Sequence, residues 1–470
     1  MQRATRAVKN IVVIGASYGG AHVAEVLAKG LPKNHRVILV DKNSHFNHIY
    51  RFVRFGVLPG HEAKVFIPYT NVLTRASQPE ATISEHHCPK GSAAAEISEY
   101  ARSIFIQAKV VNVTKKYVEV DRTLCEVDGI TENCVVEHEH PIECGAYKKA
   151  AADGTLEEGF NCMCLNGSDG PISNKNTTKV RYDYLVFATG SIMPRPLLSN
   201  SRTKEAGMHF LQGQQDVIRR AKSILIVGGG ALGVQYATDI ADLYKDKKIT
   251  LVHSRERLLP HFEEEVHKRA VERMRELGIE MILGDRMIMP EGHVFEGKEL
   301  DHRILKTQKG REIESDLQLF CTGQSPNTSL VKNVLPNAVG KDGYIKVNRH
   351  MQVQAPGHRV PHIFAIGDCI DGFGAIKAGH TAWHQATVAA NNIVTIVKAR
   401  ENGEKTLPQL EEYTPGKPMI SVSLGLTSSV KQLVDEENNL KITSHTGEQV
   451  DAYWEVMWDA LGIAADDPFI

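Results

Sequence analysis

One local pattern occurs twice in this chain and constrains its fold more than any other feature. In each copy a short apolar strand runs into a glycine-rich turn, and the turn runs into a stretch whose apolar residues have helical spacing. The first copy is the strand Asn10 to Ile14, the turn GASYGG and the helix AHVAEVLAKG. The second is Ser223 to Val227, GGGALG and VQYATDIADLY. We therefore predict an α/β fold with two Rossmann-like dinucleotide-binding domains.

The first turn has the residue types that let a pyrophosphate approach the backbone. Gly15 and Gly20 stand at its first and third glycine positions, and Ser17 replaces the middle glycine with another small residue. Backbone N–H groups at the start of the following helix stabilise the phosphate charge. The next strand ends in Asp41 and Lys42, and we predict that the Asp41 carboxylate accepts both hydroxyls of a ribose.

The second turn has all three glycines but a different sequence after its second strand. Gly228, Gly230 and Gly233 form the turn, and His253 and Arg255 follow where the first unit has an acid. This change removes the group that would repel a 2′-phosphate and supplies donors instead. We predict that NADPH is at least tolerated; the alternative is that Arg255 is an ordinary solvated arginine.

Three further apolar strands end in glycine turns. LVFATGS and LFCTGQSPN each break at a Thr-Gly pair, which places Gly190 and Gly323 where the chain crosses between domains. HIFAIGDC ends in Asp368, which we expect to accept a hydroxyl of a flavin ribityl chain. A small-residue helix, AIKAGHTAWHQATVAANNI, is predicted to follow it.

These segments, in this order, resemble those of a known protein family. GASYGG, LVFATGS, GGGALGVQYA, TGQSPN and FAIGDC cover most of the chain, which resembles FAD-dependent pyridine nucleotide oxidoreductases. Within that group, SHFNHIYRFVR, KVFIPY and AIKAGHTAWHQATVAANNI look like the apoptosis-inducing-factor-like, ferroptosis-suppressor-type NAD(P)H:quinone reductases, in a fungal style. The resemblance implies FAD at the first turn, NAD(P)H at the second, and electron transfer through the flavin to a quinone.

The resemblance also implies roles for residues outside the turns. Arg54 and Lys64 match basic positions near the FAD, and Val110 matches the place where backbone groups meet adenine. Lys377 corresponds to a lysine beside the flavin, where a cation stabilises negative charge on the reduced ring; the alternative is a surface lysine. Gln235 stands where many relatives have glutamate. It lacks the carboxylate, but its amide can still form hydrogen bonds to the nicotinamide. Lys377 and Gln235 are the predicted catalytic residues.

The predicted domain organisation places the second unit inside the first. Residues 1–200 and 328–398 form the FAD-binding domain, with a cysteine-rich insertion at about 121–179. Residues 201–327 form the NAD(P)H-binding domain, and residues 399–470 form a small α+β region at the C-terminal end. In that last region we predict a charged linker, one period-2 strand over MISVSLGLTSS and a final helix over AYWEVMWDALGI. The final helix either packs on the core or shapes an acceptor pocket or a membrane contact.

Charge and hydropathy limit the partners. The 55 basic and 56 acidic side chains nearly cancel, so we expect no nucleic-acid binding. No apolar stretch approaches the roughly 20 residues of a membrane span, and no apolar signal region precedes the first strand. We expect a cytoplasmic protein with a small-molecule acceptor, and leave open a mitochondrial location, peripheral contact with a membrane or lipid surface, and the oligomeric state.

The cysteines do not have a redox-pair pattern. Six of the eight crowd into one stretch: Cys88, Cys125, Cys134, Cys144, Cys162 and Cys164. Neither the C-x4-C nor the CxxC spacing of a disulphide reductase occurs. We predict no metal site and treat the cluster as an insertion with inert thiols, with a zinc site or a local disulphide as alternatives. Cys321 and Cys369 are expected to be buried small hydrophobes.

Two other functions are compatible with the same motifs. One is a flavin-dependent oxidase of secondary metabolism, which would use oxygen as its acceptor and the cysteine-rich insertion for its substrate. The other is a redox-sensing, apoptosis-linked protein in which NAD(P)H only switches the conformation.

Overall fold

The computed structural model describes residues 8–73, 103–122, 135–138, 177–290, 295–406, 408–465 and 468. The strands of the first half are β1 (Lys9–Ile14), β2 (His35–Asp41), β3 (His45–Asn47), β4 (Phe66–Pro68), β5 (Ile104–Gln107), β6 (Val110–Val113), β7 (Tyr117–Val120), β8 (Val135–His138), β9 (Thr178–Arg181), β10 (Tyr184–Phe187) and β11 (Ser191–Ile192). Those of the second half are β12 (Ser223–Val227), β13 (Lys248–His253), β14 (Glu280–Leu283), β15 (Arg303–Lys306), β16 (Glu312–Ser315), β17 (Leu317–Phe320), β18 (Ser325–Pro326), β19 (Ile363–Ala365), β20 (Ile420–Ser423), β21 (Ser428–Val434) and β22 (Leu440–Thr446). The helices are α1 (Tyr18–Gly30), α2 (Phe52–Phe55), α3 (Lys204–Arg220), α4 (Ala231–Leu243), α5 (Glu264–Glu276), α6 (Ser329–Val334), α7 (Gly379–Glu401) and α8 (Glu455–Ala460).

A five-stranded parallel sheet contains the first turn. Its strand order is β19, β10, β1, β2, β5, and helices α1 and α7 pack against each other beside it. Burial is nearly complete along β1, β2 and β10. A parallel sheet covered on both faces needs such continuous apolar strands, which explains why these segments could be identified from sequence.

A four-stranded parallel sheet contains the second turn. Its strand order is β14, β13, β12, β17, and β12 and β13 have the strand–turn–helix relation to α4 that β1 and β2 have to α1. All four strands lie, in sequence, between β10 and β19 of the first sheet. The strand Ser223–Val227 has the predicted bounds.

Three predicted elements have clearly different bounds in the structure. The final helix, expected over AYWEVMWDALGI, spans only Glu455–Ala460. The helix expected from Ala375 begins only at Gly379, because its N-cap residue Ala378 has an extended backbone, with φ −151° and ψ 155°. The single strand expected over MISVSLGLTSS was wrong. It is broken at Gly425, where φ is 99°, and forms two strands of the antiparallel sheet β20–β21–β22.

Two further predictions concern residues that the structure describes only in part. Most of the cysteine-rich insertion lies outside them, and so do Cys88, Cys125, Cys134, Cys144, Cys162 and Cys164. Within the described ranges, no group of three or more histidine, cysteine or acidic side chains is arranged to hold a metal ion. In the same ranges, no helix combines the length and the apolarity that crossing a bilayer requires.

Candidate functional site

The two glycine turns have the same close-packed geometry. A Cβ on Gly20 would lie 1.7 Å from the carbonyl oxygen of Gly15, and a Cβ on Gly233 would lie 1.8 Å from that of Gly228. Gly15 and Gly228 have φ angles of 98° and 120°, which side chains rarely adopt. Each turn therefore needs glycine at its first and third positions, where the helix packs directly on the strand end.

Each turn also lies against a Thr-Gly turn from another strand of its sheet. A Cβ on Gly15 would be 2.3 Å from the Ala188 carbonyl oxygen after β10, and one on Gly228 would be 2.8 Å from that of Cys321 after β17. The LVFATGS and LFCTGQSPN segments thus occupy equivalent places in the two units.

Three other turn glycines face open space. No atom lies within 4 Å of a Cβ built on Gly230, Gly190 or Gly323. Ser17 is the N-cap of α1, and its side chain makes no capping hydrogen bond. Open space beside a helix N-terminus is what a dinucleotide pyrophosphate requires, so both turns fit such a cofactor.

Asp41 ends β2 at the first turn. Its carboxylate accepts a hydrogen bond from the Ala16 N–H (2.7 Å) and another from the Asn43 N–H (2.8 Å). Burial raises the pKa of Asp41, and these donors oppose that shift. Lys42 follows, and burial lowers its pKa while Asp41 opposes the lowering. The carboxylate is thereby held at the mouth of the turn, and its contact with a ribose stays a prediction.

Asp368 lies at the end of β19, where the two Thr-Gly turns meet. Its carboxylate accepts hydrogen bonds from the Ser191 hydroxyl (2.7 Å) and the Gln324 amide (3.4 Å). Burial raises the pKa of Asp368, and the Ser191 hydrogen bond and the Lys377 charge oppose that shift. Ser191 and Gln324 were missed by the sequence analysis. Each directly follows a Thr-Gly pair, and that shared position was the signal that could have found them.

Lys377 is partly buried in the loop before α7. Its ammonium donates to the Ile370 carbonyl and lies 4.4 Å from the centre of the Tyr344 ring. Burial lowers the pKa of Lys377, and Asp368 opposes that change. The structure thus brings Lys377 and Asp368 to the same end of the first sheet, as a cofactor site there would need.

An aromatic cluster at the N-terminus of α7 was also not predicted. The Tyr18 hydroxyl and the His48 Nδ1 are 2.7 Å apart, and the Tyr50 hydroxyl accepts a hydrogen bond from the Gly379 N–H. Burial, with the Asp368 charge as a smaller cause, raises the pKa of Tyr50. His48 and Tyr50 lie in the SHFNHIYRFVR segment, which the sequence analysis singled out only for its family resemblance.

Arg54 joins three parts of the chain. It is 4% exposed and forms two hydrogen bonds to the fully buried carboxylate of Asp239 in α4, at 2.8 and 3.1 Å. It also donates to the carbonyls of Gly425, Leu426 and Val450 in the C-terminal region. Its guanidinium is therefore occupied by protein partners, and its predicted place near the FAD stays a prediction.

Lys64 and Gln235 also contact the C-terminal region. The Lys64 ammonium pairs with the Asp451 carboxylate (2.8 Å) and lies 5.0 Å from the Trp454 ring centre. The Gln235 amide donates to the Ser423 hydroxyl (3.1 Å). The structure does not gather these two residues with Asp368, and their predicted roles stay predictions.

Val110 and the second nucleotide turn complete the predicted set. Val110 begins β6 and is buried, and its expected backbone contact with adenine is untested. His253 is the last residue of β13, its Nδ1 lies 3.1 Å from the Gly229 nitrogen, and Arg255 is exposed two residues later.

The two described cysteines are free. Cys369 is fully buried, and Cys321 is partly buried after β17. Burial raises the pKa of both thiols, which disfavours the thiolate that disulphide exchange requires.

Comparison with known proteins agrees with this geometry. A family model described as pyridine nucleotide-disulphide oxidoreductase matches residues 9–391. The chain is 35% identical over 469 residues to Fe-regulated protein 8 of Mycosarcoma maydis, which covers 98% of this chain and 96% of that protein. It is 31% identical over 261 residues to ferroptosis suppressor protein 1 of Homo sapiens, over 54% of this chain and 64% of the human protein.

A solved structure shares the fold. The sulfide:quinone oxidoreductase of the hyperthermophilic bacterium Aquifex aeolicus matches with a TM-score of 0.60 and 15% sequence identity, over 96% of this chain and 90% of that one. At this identity the likeness concerns the fold alone.

Proposed function

Because this chain belongs to the pyridine nucleotide-disulphide oxidoreductase family, we propose that it oxidises NAD(P)H through a resident FAD and reduces a quinone. It is an oxidoreductase, and its cofactors are FAD and NAD(P)H. The assignment of one cofactor to each turn and the choice of a quinone are the proposed parts.

The duplicated turn is the observation that carries this proposal. A Cβ on Gly20 would lie 1.7 Å from the Gly15 oxygen in the first unit, which matches the 1.8 Å between a Cβ on Gly233 and the Gly228 oxygen in the second. Open space beside Gly230 and beside both Thr-Gly turns supports a dinucleotide at each place. Asp368 and Lys377 lie together at one end of the first sheet, and this pair favours the flavin there.

The chemistry belongs mainly to the cofactor, and the side chains position it. When bound, FAD would supply the two-electron chemistry, so that no nucleophilic side chain is required. Asp368, held by Ser191 and Gln324, offers carboxylate oxygens to a hydroxyl-rich chain. Lys377 provides a partly buried positive charge at the same end of the sheet.

Disulphide substrates, which the family description includes, are not favoured here. The two described thiols are free, and burial raises the pKa of both. The sequence resemblance to ferroptosis-suppressor-type quinone reductases supports a quinone instead.

A small cleft beside α7 and α8 is a candidate place for a flat aromatic acceptor. Its apolar lining includes Tyr18, Phe46, Trp383, Met457 and Leu461, and its polar lining is His22, Glu25 and Asn71. The free volume of this cleft is about 10 Å³, room for about one water molecule, so a quinone would have to displace lining side chains such as Met457; the aromatic walls would then bind its flat ring by stacking and burial.

Stopped-flow spectroscopy of the two half-reactions tests the proposal. NADH or NADPH is mixed anaerobically with the purified protein, and the loss of flavin absorbance is followed. The reduced protein is then mixed with a soluble ubiquinone analogue or with air-saturated buffer. We expect rapid loss of absorbance and reoxidation by the quinone at least about tenfold faster than by oxygen.

The two alternative functions give different results. Reoxidation by oxygen as fast as by the quinone would indicate an oxidase. Tight binding of NAD(P)H with no loss of flavin absorbance would indicate a protein that only senses the nucleotide.

A further inference from the structure

Two arginines of one short segment have opposite surroundings. Arg51 ends a short 3-10 turn, and Arg54 follows in α2. All of the N–H groups of the Arg54 guanidinium are used, because they donate to the Asp239 carboxylate and to three carbonyls of the C-terminal region. The Arg51 side chain, by contrast, forms no hydrogen bond or ion pair with any described residue.

The acids near Arg51 are already paired with other cations. Asp239 is held by Arg54, and the Glu448 carboxylate lies 2.8 Å from the Lys431 ammonium. The nearby Tyr18 hydroxyl adds no negative charge, since burial raises the pKa of Tyr18 well above its usual range. The charge of Arg51 is therefore left without a counter-charge from the described residues around it.

The burial of Arg51 makes this missing partner costly. The side chain is only partly exposed, and its Nε is buried without a hydrogen-bond partner. Burial and the Arg54 charge lower the pKa of Arg51. Its two Nη atoms also have no described partner, but they are not among the fully buried atoms, so a ligand can reach them. A guanidinium withdrawn from water in this way fits an anionic ligand.

Arg51 lies between the two nucleotide units. Its charge acts on Tyr18, the first residue of α1, and on Asp239 in α4. Helix α1 begins at the first glycine turn, and α4 begins at the second. A flavin ring that takes electrons from a nicotinamide has to lie between the units, because the reacting atoms approach within about 3–3.5 Å. The diphosphate of the FAD belongs at the first turn instead.

We propose that Arg51, and not Arg54, is the arginine that contacts the FAD, and that its guanidinium binds the edge of the flavin ring that becomes negatively charged on reduction. This inference rests on the proposed function, which places FAD in the first unit. The family resemblance indicated Arg54 for this contact, but every donor of Arg54 is already used. Because the oxidised ring is neutral and the reduced ring is negative, Arg51 stabilises the reduced form and raises the reduction potential of the flavin.

The midpoint reduction potential of the FAD-loaded full chain tests the proposal without NAD(P)H or a quinone. A spectroelectrochemical titration compares the unchanged protein with Arg51→Gln. We expect Arg51→Gln to weaken the binding of reduced FAD relative to oxidised FAD at least about tenfold, which lowers the potential of a two-electron couple by about 30 mV. Arg51→Lys keeps the charge and should restore most of the difference. An unchanged potential in Arg51→Gln would overturn the proposal.

Two controls separate an effect of charge from an effect on the fold. Arg359→Gln removes an exposed arginine that precedes β19, and it should leave the potential unchanged. Urea denaturation of oxidised, FAD-loaded Arg51→Gln should give a midpoint no lower than that of the unchanged protein, because the lost cation had no partner within the described chain. A lower urea midpoint with an unchanged potential would indicate a structural role and reject the contact with the ring.

The affinity for oxidised FAD distinguishes the ring from the diphosphate. The diphosphate has the same charge in both redox states, so contact there would weaken both states alike and leave the potential unchanged. Fluorescence titration of the deflavinated full chain with FAD measures the oxidised state, and we expect Arg51→Gln to change this affinity less than about threefold. Weaker binding of oxidised FAD with an unchanged potential would overturn the assignment to the ring. If Arg51→Gln retains no FAD, Arg51→Met, which is also neutral, is measured in the same way and decides by the same criterion.

Failure of this inference differs from failure of the proposed function. If NAD(P)H reduces the flavin and the neutral variants keep the original potential, the role of Arg51 fails and the oxidoreductase function stands. If neither nucleotide reduces the flavin while Arg51→Gln still lowers the potential, the proposed function fails and the role of Arg51 stands.

Discussion

At the scale of single residues, the third glycine of each turn determines how closely helix and strand approach. An added methyl group on Gly20 or Gly233 would overlap a carbonyl oxygen of the same turn, and backbone cannot move aside as a flexible side chain can. Sequence alone identified these glycines because their requirement is steric and local. Ser191 and Gln324, which donate hydrogen bonds to Asp368, were not identified, because their role depends on contacts between distant segments of the chain.

Alanine at the two glycines should affect different steps. We expect Gly20→Ala to yield protein with little bound FAD, and Gly233→Ala to yield yellow protein that NAD(P)H reduces at least about tenfold more slowly. The checks are the flavin content per chain and the rate of flavin reduction. Gly213→Ala is the control: this α3 glycine has open space around its Cβ, so the change should be neutral or stabilise by about 0.5–1 kcal/mol. Normal FAD content and normal reduction in both turn variants would contradict this account.

The Arg54–Asp239 pair is a second prediction at residue scale. Asp239→Asn leaves the buried guanidinium without a counter-charge, and we expect a loss of about 3–5 kcal/mol in unfolding free energy. Urea denaturation of the FAD-loaded protein measures it. Lys268→Ala removes an exposed pair with Glu264, both 63% exposed, and should cost less than about 1 kcal/mol. Equal effects of the two changes would show that the buried pair does not hold these segments together.

At the scale of elements, the C-terminal region contacts both nucleotide units. The turn at Gly425 packs on α4, where the Leu426 N–H donates to Asp242 (2.9 Å). The other end packs on the first unit, where the Trp458 indole donates to the Lys64 carbonyl (2.8 Å). The expected single strand was wrong because a glycine in an alternating segment fits a strand or a turn, and here contact with the distant α4 decides for a turn.

Helix α8 offers a test of the acceptor cleft. Met457→Trp places a bulky ring in the cleft, so we expect quinone reoxidation to slow at least about fivefold while reduction by NAD(P)H is unchanged. The neighbouring Val456 is 66% exposed, and Val456→Trp should leave both half-reactions unchanged. Unchanged quinone reoxidation in Met457→Trp would place the acceptor elsewhere. The measurement is stopped-flow spectroscopy of each half-reaction separately.

At the scale of the whole molecule, parallel sheets made the architecture predictable. Strands buried on both faces, such as β1 and β12, are apolar after their first one or two residues and end in turns with steric requirements, so both units could be found from sequence. Contacts between units could not be found in this way. Arg54 and Asp239 are separated by 185 positions, and no local pattern connects them.

The central claim is that one chain holds two dinucleotides at two separate turns, and an anaerobic titration tests it most directly. The purified protein is analysed for FAD per chain and then titrated with NADPH while flavin absorbance is recorded. We predict about one FAD per chain and complete loss of the oxidised-flavin absorbance at about one equivalent of NADPH, since each nucleotide carries two electrons. A protein that stays colourless after incubation with FAD, or one whose flavin neither NADPH nor NADH reduces, would contradict the account.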